Sequence, residues 1–185
     1  LDAPLTMTGL VTRIDPHPRG EVVHGDFVFT AEDGSTPLKA SRSSLNPGVG
    51  DPDAARNALS APPLDRMAQI HEVTLEPDGV ASFSDEADNL IHSDPATAER
   101  FGFRAPIAGG LMASHIMLGG LVAEAGAGPI TGLEAEIAFL RPMFWDERLR
   151  LFATEAGASG PRALALLGDD DKPRCRANIH SVRFG

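Results

Sequence analysis

Asp88 to Leu111 reads DNLIHSDPATAERFGFRAPIAGGL, and its punctuation organises the rest of the chain. Asp94-Pro95 marks a helix start, because a short carboxylate takes the first free N–H groups and proline loses nothing at the first helical position. Gly102 closes that short helix. Gly109-Gly110 then opens a longer helix, about Gly110 to Glu124, closed by Gly126 and Gly128. A glycine pair at a helix N-terminus leaves backbone N–H groups directed outward, with the positive end of the helix dipole behind them. Such donors stabilise a carbonyl oxygen that gains negative charge. Asn89 and His92 put an amide and an imidazole immediately before the capped helix. An imidazole titrates near neutrality, which makes His92 a candidate acid or base.

Outward from this segment the pattern is of strands. Residues 5–45 carry a period of two, with Val23, Gly25, Phe27, Phe29 and Ala31 alternating with His24, Asp26 and Thr30, and Glu32-Asp33-Gly34-Ser35 reads as a hairpin turn. Asn46–Arg66 has neither periodicity and reads as a linker, longer than an ordinary loop. The second unit, 67–185, starts with strand-like Ile70–Leu75 and Val80–Phe83. After the long helix come strands around Leu133–Phe139, Leu149–Ala153, Ala163–Leu167 and Arg174–Phe184. The long helix is almost uncharged, yet Ser114, His115 and the glycines at 110, 119 and 120 interrupt it, so the expectation is a helix wrapped by a sheet rather than by lipid.

At 185 residues the chain is long enough for one domain or a fused pair. Its net charge of −10 argues against nucleic acid or an anionic membrane as partner, since both need a basic footprint. With 42% hydrophobic residues, 19 glycines and 15 prolines mean a real core cut by many turns. A single cysteine, Cys175, excludes an intrachain disulfide and a cysteine-cluster metal site. No signal peptide is visible, so a soluble cytoplasmic protein without metal is expected. The order of strands after residue 145 repeats that of residues 1–45: Leu1–Met7 lies on Trp145–Leu151, Gly20–Ala31 on Gly160–Leu167, and Pro37–Leu45 on Pro173–Phe184. On that reading residues 1–45 are the closing strands of a partial copy and 67–185 the complete one. The chain opens on Leu1, and residues 1–45 are expected to need a missing segment or another chain, as in a homo-oligomer such as a dimer, to cover their apolar face.

Asn89, Ile91, His92, Asp94, Pro95, Ala98, Gly102-Phe103, Pro106-Ile107-Ala108 and Gly110, with Phe139-Leu140-Arg141-Pro142 further on, resemble the MaoC-like, R-specific enoyl-CoA hydratase/dehydratase family. The resemblance implies an α+β hotdog fold, a long helix wrapped by a curved antiparallel sheet, here of the double-hotdog type. It also implies the hydration of an enoyl thioester or the reverse dehydration of a 3-hydroxyacyl thioester, as in fatty acid metabolism. Coenzyme A or a carrier phosphopantetheine enters as part of the substrate, with no separate cofactor. Carried over, His92 is the catalytic histidine, Asn89 its orienting amide and Gly110 the oxyanion N–H. Counting back from His92 puts Ala87 where the family has aspartate; Asp88, shifted by one residue, is the expected carboxylate, and Asp85 is a further candidate. Leu90 stands for the family's proline and Gly109 for its usual histidine.

Gly109, Ile107, His115, Arg104 and Arg141 are expected at the substrate, with Arg100, Arg104, Arg141 and Arg183 available for its phosphates. For His115 a packed, hydrogen-bonded core position is the plainer expectation. Gly119-Gly120 is expected to permit close helix–sheet packing, Asp169-Asp170-Asp171 to form a solvated turn, and Cys175 to be a small core residue. A non-catalytic hotdog module, binding acyl thioesters or supporting an active partner subunit, is the alternative reading. A hotdog thioesterase ranks last, because those enzymes usually place Glu, Asp or Gln on the long helix and this one has none before Glu124.

Overall fold

The long helix α3 (Gly110–Ala125) carries buried residues at Met112, Ala113, Met117, Gly120 and Leu121, a helical spacing that makes one continuous stripe. In the computed structural model that stripe lies in the core of the second unit with Leu149, Leu151, Leu164, Leu166, Cys175, Ala177 and Ile179. Those residues come from an antiparallel sheet of order β4-β8-β9-β10-β6, made of β4 (Ala68–Thr74), β6 (Ile130–Phe139), β8 (Arg148–Ala153), β9 (Arg162–Leu167) and β10 (Pro173–Phe184). This is the hotdog arrangement expected of the second unit. Each fully buried Leu or Met contributes about 1.5–3 kcal/mol, so this face dominates the unit's stability. Burial also pushes the Cys175 thiol up to about 12, which leaves it an inert core residue.

The structure describes residues 4–47, 64–84, 89–155 and 162–185, and the chain divides into two units, Leu1–Arg56 and Asn57–Gly185. Most of the expected linker therefore lies outside the described residues. At its ends β3 runs on to Pro47, and Leu64–Arg66 forms a 3₁₀ turn. No described helix is long and apolar enough to cross a membrane.

The first unit is a three-stranded antiparallel meander of β1 (Thr6–His17), β2 (Gly20–Thr30) and β3 (Leu38–Pro47). Its register puts Met7, Val11, Ile14, Phe27, Phe29 and Leu38 on one face. On the other face Asp15 pairs with Arg13 at 2.9 Å and with His24 at 3.1 Å, and His24 reaches Ser43 at 2.8 Å. The apolar face is uneven in its burial. Met7, Val11 and Ile14 are each more than half exposed.

Three expectations need correction. Val80–Phe83 is not a strand but part of helix α1 (Pro77–Phe83), because Pro77 at its first turn presets the helical φ and Val80 alone turns into the core. His115 is exposed, since it falls on the side of α3 away from the buried stripe. The aspartates after Gly168 do form a turn, but they also hold cations: Asp170 pairs with Arg174 at 2.9 Å, and Asp171 pairs with Arg150. Two-residue strands β5 (Ile107–Ala108) and β7 (Met143–Phe144), too short for any periodicity, pair with each other.

The two helix glycines differ in kind. A Cβ on Gly120 would collide with Leu151 and lie 3.2 Å from His71 Cβ, whereas one on Gly119 would meet nothing within 4 Å. Gly120→Val is therefore expected to destabilise the second unit by about 1–3 kcal/mol, as overpacking does. Gly119→Ala is expected to be neutral or to stabilise by up to about 1 kcal/mol through helix propensity. Urea denaturation of both variants measures the contrast.

Candidate active site at the N-terminus of the long helix

His92 closes a 3₁₀ turn, Leu90–His92, whose start is capped by Asn89: its Oδ1 accepts from the Ile91 N–H at 3.3 Å. The Asp94 N–H donates to the Leu90 carbonyl at 2.8 Å, so the turn runs directly into helix α2 (Pro95–Arg100). Asp94 caps α2 by accepting from the Thr97 hydroxyl at 2.5 Å and the Thr97 N–H at 2.9 Å. The Thr97 hydroxyl first, then the N–H, holds the Asp94 carboxyl below its ordinary value.

The half-buried His92 ring is oriented by β5. Nδ1 lies 2.6 Å from the Ile107 carbonyl oxygen. A carbonyl only accepts, so Nδ1 carries the proton, and Nε2 is left with its lone pair. The orientation expected from the Asn89 amide thus comes from a backbone oxygen, and Asn89 acts on the turn instead. The same strand ends at the N-cap of α3. A Cβ on Gly109 would stand 3.8 Å from His92 Cε1, which places the imidazole beside the helix N-terminus.

Gly109 has extended backbone (φ −68°, ψ 154°) and makes no side-chain cap; the Met112 N–H donates to the Gly109 carbonyl at 3.0 Å, while the Gly110 and Leu111 N–H groups lie ahead of the first intrahelical acceptor. Gly110 lies tightly under its neighbour: a Cβ there would stand 3.0–3.2 Å from three ring carbons of Phe139. Phe139, at the end of the strand read over Leu133–Phe139, is 58% exposed and covers Gly110. The feature that sequence reasoning missed is the Ile107 carbonyl, because a main-chain oxygen carries no residue signature.

The remaining expected residues spread around this centre. Arg104 forms a two-pronged pair with Asp146 (2.8 and 3.0 Å) and lies 4.0 Å over the Phe144 ring. The hydrogen bond donated to Asp146 holds the Arg104 guanidinium above its ordinary value, and the same bond lowers the Asp146 carboxyl. Arg104 is therefore already answered by a carboxylate. Exposed Arg141 donates to the Pro173 carbonyl at 2.9 Å, and Arg100 to Thr97 Oγ1 at 2.9 Å. His115 meets Phe83 edge to face, with centroids 5.5 Å apart, and its Nδ1 lies 3.3 Å from the Leu111 carbonyl. Asp85, Ala87 and Asp88 lie outside the described residues. Among the described residues no group of three or more His, Cys, Asp or Glu is placed to hold a metal ion.

A family model described as "MaoC like domain" matches residues 60–163. Among solved structures, HtdX from Mycobacterium tuberculosis superposes with a TM-score of 0.73 at 16% identity, over 97% of this chain and 69% of that one. The full-length peroxisomal multifunctional enzyme type 2 of Drosophila melanogaster gives 0.79 at 20% identity, over 97% of this chain. This chain spans 34% of the Drosophila protein. The (R)-hydratase from A. caviae involved in PHA biosynthesis gives 0.53 at 18% identity, over 64% of this chain and 94% of its own. At such identities the likeness is one of fold. No curated protein matches the chain significantly.

The Asp94 cap has a definite pH signature. A carboxyl lowered on folding stabilises the fold above its ordinary value, and that contribution is lost as pH falls through the lowered value. Asp94→Ala is thus expected to unfold at lower urea than the parent near pH 7. The gap should narrow below about pH 4. Paired urea titrations across that range test the sign.

Proposed function

The chain belongs to the MaoC like domain family, and from that membership we propose that it adds water to an enoyl thioester, or removes it from a 3-hydroxyacyl thioester, at His92. The observation that carries the reading is the His92–Ile107 hydrogen bond, which leaves Nε2 as acceptor beside an uncapped helix N-terminus. In the hydration direction Nε2 of His92 takes a proton from water as the water oxygen bonds to C3. The 2,3 π-electrons shift toward the thioester carbonyl, and the proton taken up at His92 Nε2 is returned to C2 as the carbonyl re-forms. The developing oxyanion is met by the Gly110 N–H at the positive end of α3. Asp88 is the proposed carboxylate sharing that water, with Asp85 as the other candidate.

The proposed seat of the substrate's reactive carbonyl is Gly109-Gly110, which follows β5 and lies against the exposed Phe139 ring. Coenzyme A and a carrier phosphopantetheine both offer phosphates. Of Arg104 and Arg141, Arg141 is the proposed phosphate contact, because its side chain donates to the Pro173 carbonyl whereas Arg104 is paired with Asp146. The family membership and the names of the A. caviae hydratase and the Drosophila enzyme support this reading of the reaction class.

Loss of the enoyl-thioester absorbance with crotonyl-CoA and longer analogues measures the reaction. His92→Ala is expected to lower kcat/KM by about 10²–10⁴-fold, the range for removing a general acid–base group. Comparison of Asp88→Asn with Asp85→Asn identifies the carboxylate. Absence of turnover by the parent protein at every chain length overturns the reading in favour of a non-catalytic hotdog module.

A further inference from the structure

We propose that Glu147 and Arg174 are positioning residues for His92, acting through the backbone of β7 and β5; the inference rests on the reading of His92 as the acid–base group. The two side chains form a salt bridge with 2% and 7% of their residue surfaces exposed. Burial works against the Arg174 charge, but the bonds to Glu147 and Asp170 outweigh it and hold the guanidinium above its ordinary value. Gly168 packs so closely on the pair that a Cβ there would collide with both Glu147 Oε1 and the guanidinium. A buried ion pair is a weak device for stability alone, since apolar side chains of like volume often do as well. Its hydrogen bonds indicate another use.

Glu147 Oε2 accepts from the Phe144 N–H at 3.1 Å, which ties the carboxylate to the backbone of β7. Phe144 stands opposite Ile107 in the two-residue β5–β7 ladder, and the Trp145 N–H donates to the Pro106 carbonyl at 3.0 Å. Ile107 then presents its carbonyl to His92 Nδ1 at 2.6 Å. A ladder of two residues has little cohesion of its own, so its position follows from what grips its ends. On one side the grip is Glu147, held in turn by Arg174. Arg174 also takes the Leu140 and Arg141 N–H groups on its own carbonyl and so anchors the end of β6, next to the Phe139 that covers Gly110. Guanidinium, carboxylate, β7 and β5 make one connected path to the His92 tautomer.

The test is ¹⁵N NMR of histidine-labelled protein, which needs no turnover. The parent is expected to show His92 in the Nδ1–H form above its titration. The double substitution Glu147→Met/Arg174→Met removes both charges together and the acceptor for the Phe144 N–H. It is expected to unfold cooperatively yet show His92 as a mixture of both tautomers. Its kcat for enoyl-thioester hydration is expected to fall about 10-fold or more with KM within about 2-fold, the split expected when an acid–base group is misplaced. Glu147→Gln/Arg174→Met restores an oxygen acceptor without the charge and is expected to return the Nδ1–H form. Arg174→Lys keeps the charge and loses the fork, and is expected to shift His92 in the same direction by a smaller amount. Unchanged His92 resonances in the double variant, or in Arg174→Lys should the double variant fail to fold, overturn the proposal. A parent with no turnover but with tautomer shifts in the variants overturns the assigned reaction and leaves the positioning path standing.

Discussion

The approach of α3 to the sheet at Gly120 is the constraint on which the second unit depends. With no side chain there, the helix backbone comes down onto Leu151 and His71, and the stripe from Met112 to Leu121 reaches the inner sheet residues. The depth of that contact also sets where the helix begins. Gly109 and Gly110 start α3 at the end of β5, beside the His92 turn on one side and under the Phe139 ring on the other. A helix seated less deeply would carry its N-terminus away from all three.

The site is therefore a meeting of short pieces, most of them speaking through backbone atoms. Its nitrogen donors are main-chain groups at an uncapped helix start, and the tautomer of its imidazole is set by a main-chain oxygen. Its supporting contacts run to β7 and to a buried carboxylate. Side chains with a recognisable signature, Asn89 and Asp94, hold the approach to the site by capping the turn and α2. Such a division gives rigidity around His92, because backbone groups in a packed sheet have little freedom to move.

Much of this was legible in the residues, for reasons that differ by element. The caps were readable because capping is local: Asp94-Pro95, Gly102 with φ +79° and Gly126 with φ +58° behave as their side chains require. The five-stranded sheet was readable because alternation marks a strand whose one face is buried. The strand-like reading failed at Val80–Phe83, where a proline three positions before Val80 governs a short helix; Phe139 ends a strand as read, and its edge position leaves its ring on the surface. His115 was misplaced because a helix without a charge before Glu124 gives no sign of which side the sheet will cover. Nothing local marked Glu147 and Arg174 as partners, since 27 positions separate them and each alone reads as a surface charge.

By itself the sequence determined where most helices start and stop and which runs extend, since these follow from interactions within a few residues. Only the tertiary structure decided which nitrogen of His92 bears the proton, which glycine of the helix pair is buried, which arginine is already paired, and what Glu147 holds. Each of these depends on atoms brought together from distant parts of the chain. Contact made only by packing, above all with a main-chain oxygen such as that of Ile107, leaves no trace in residue type.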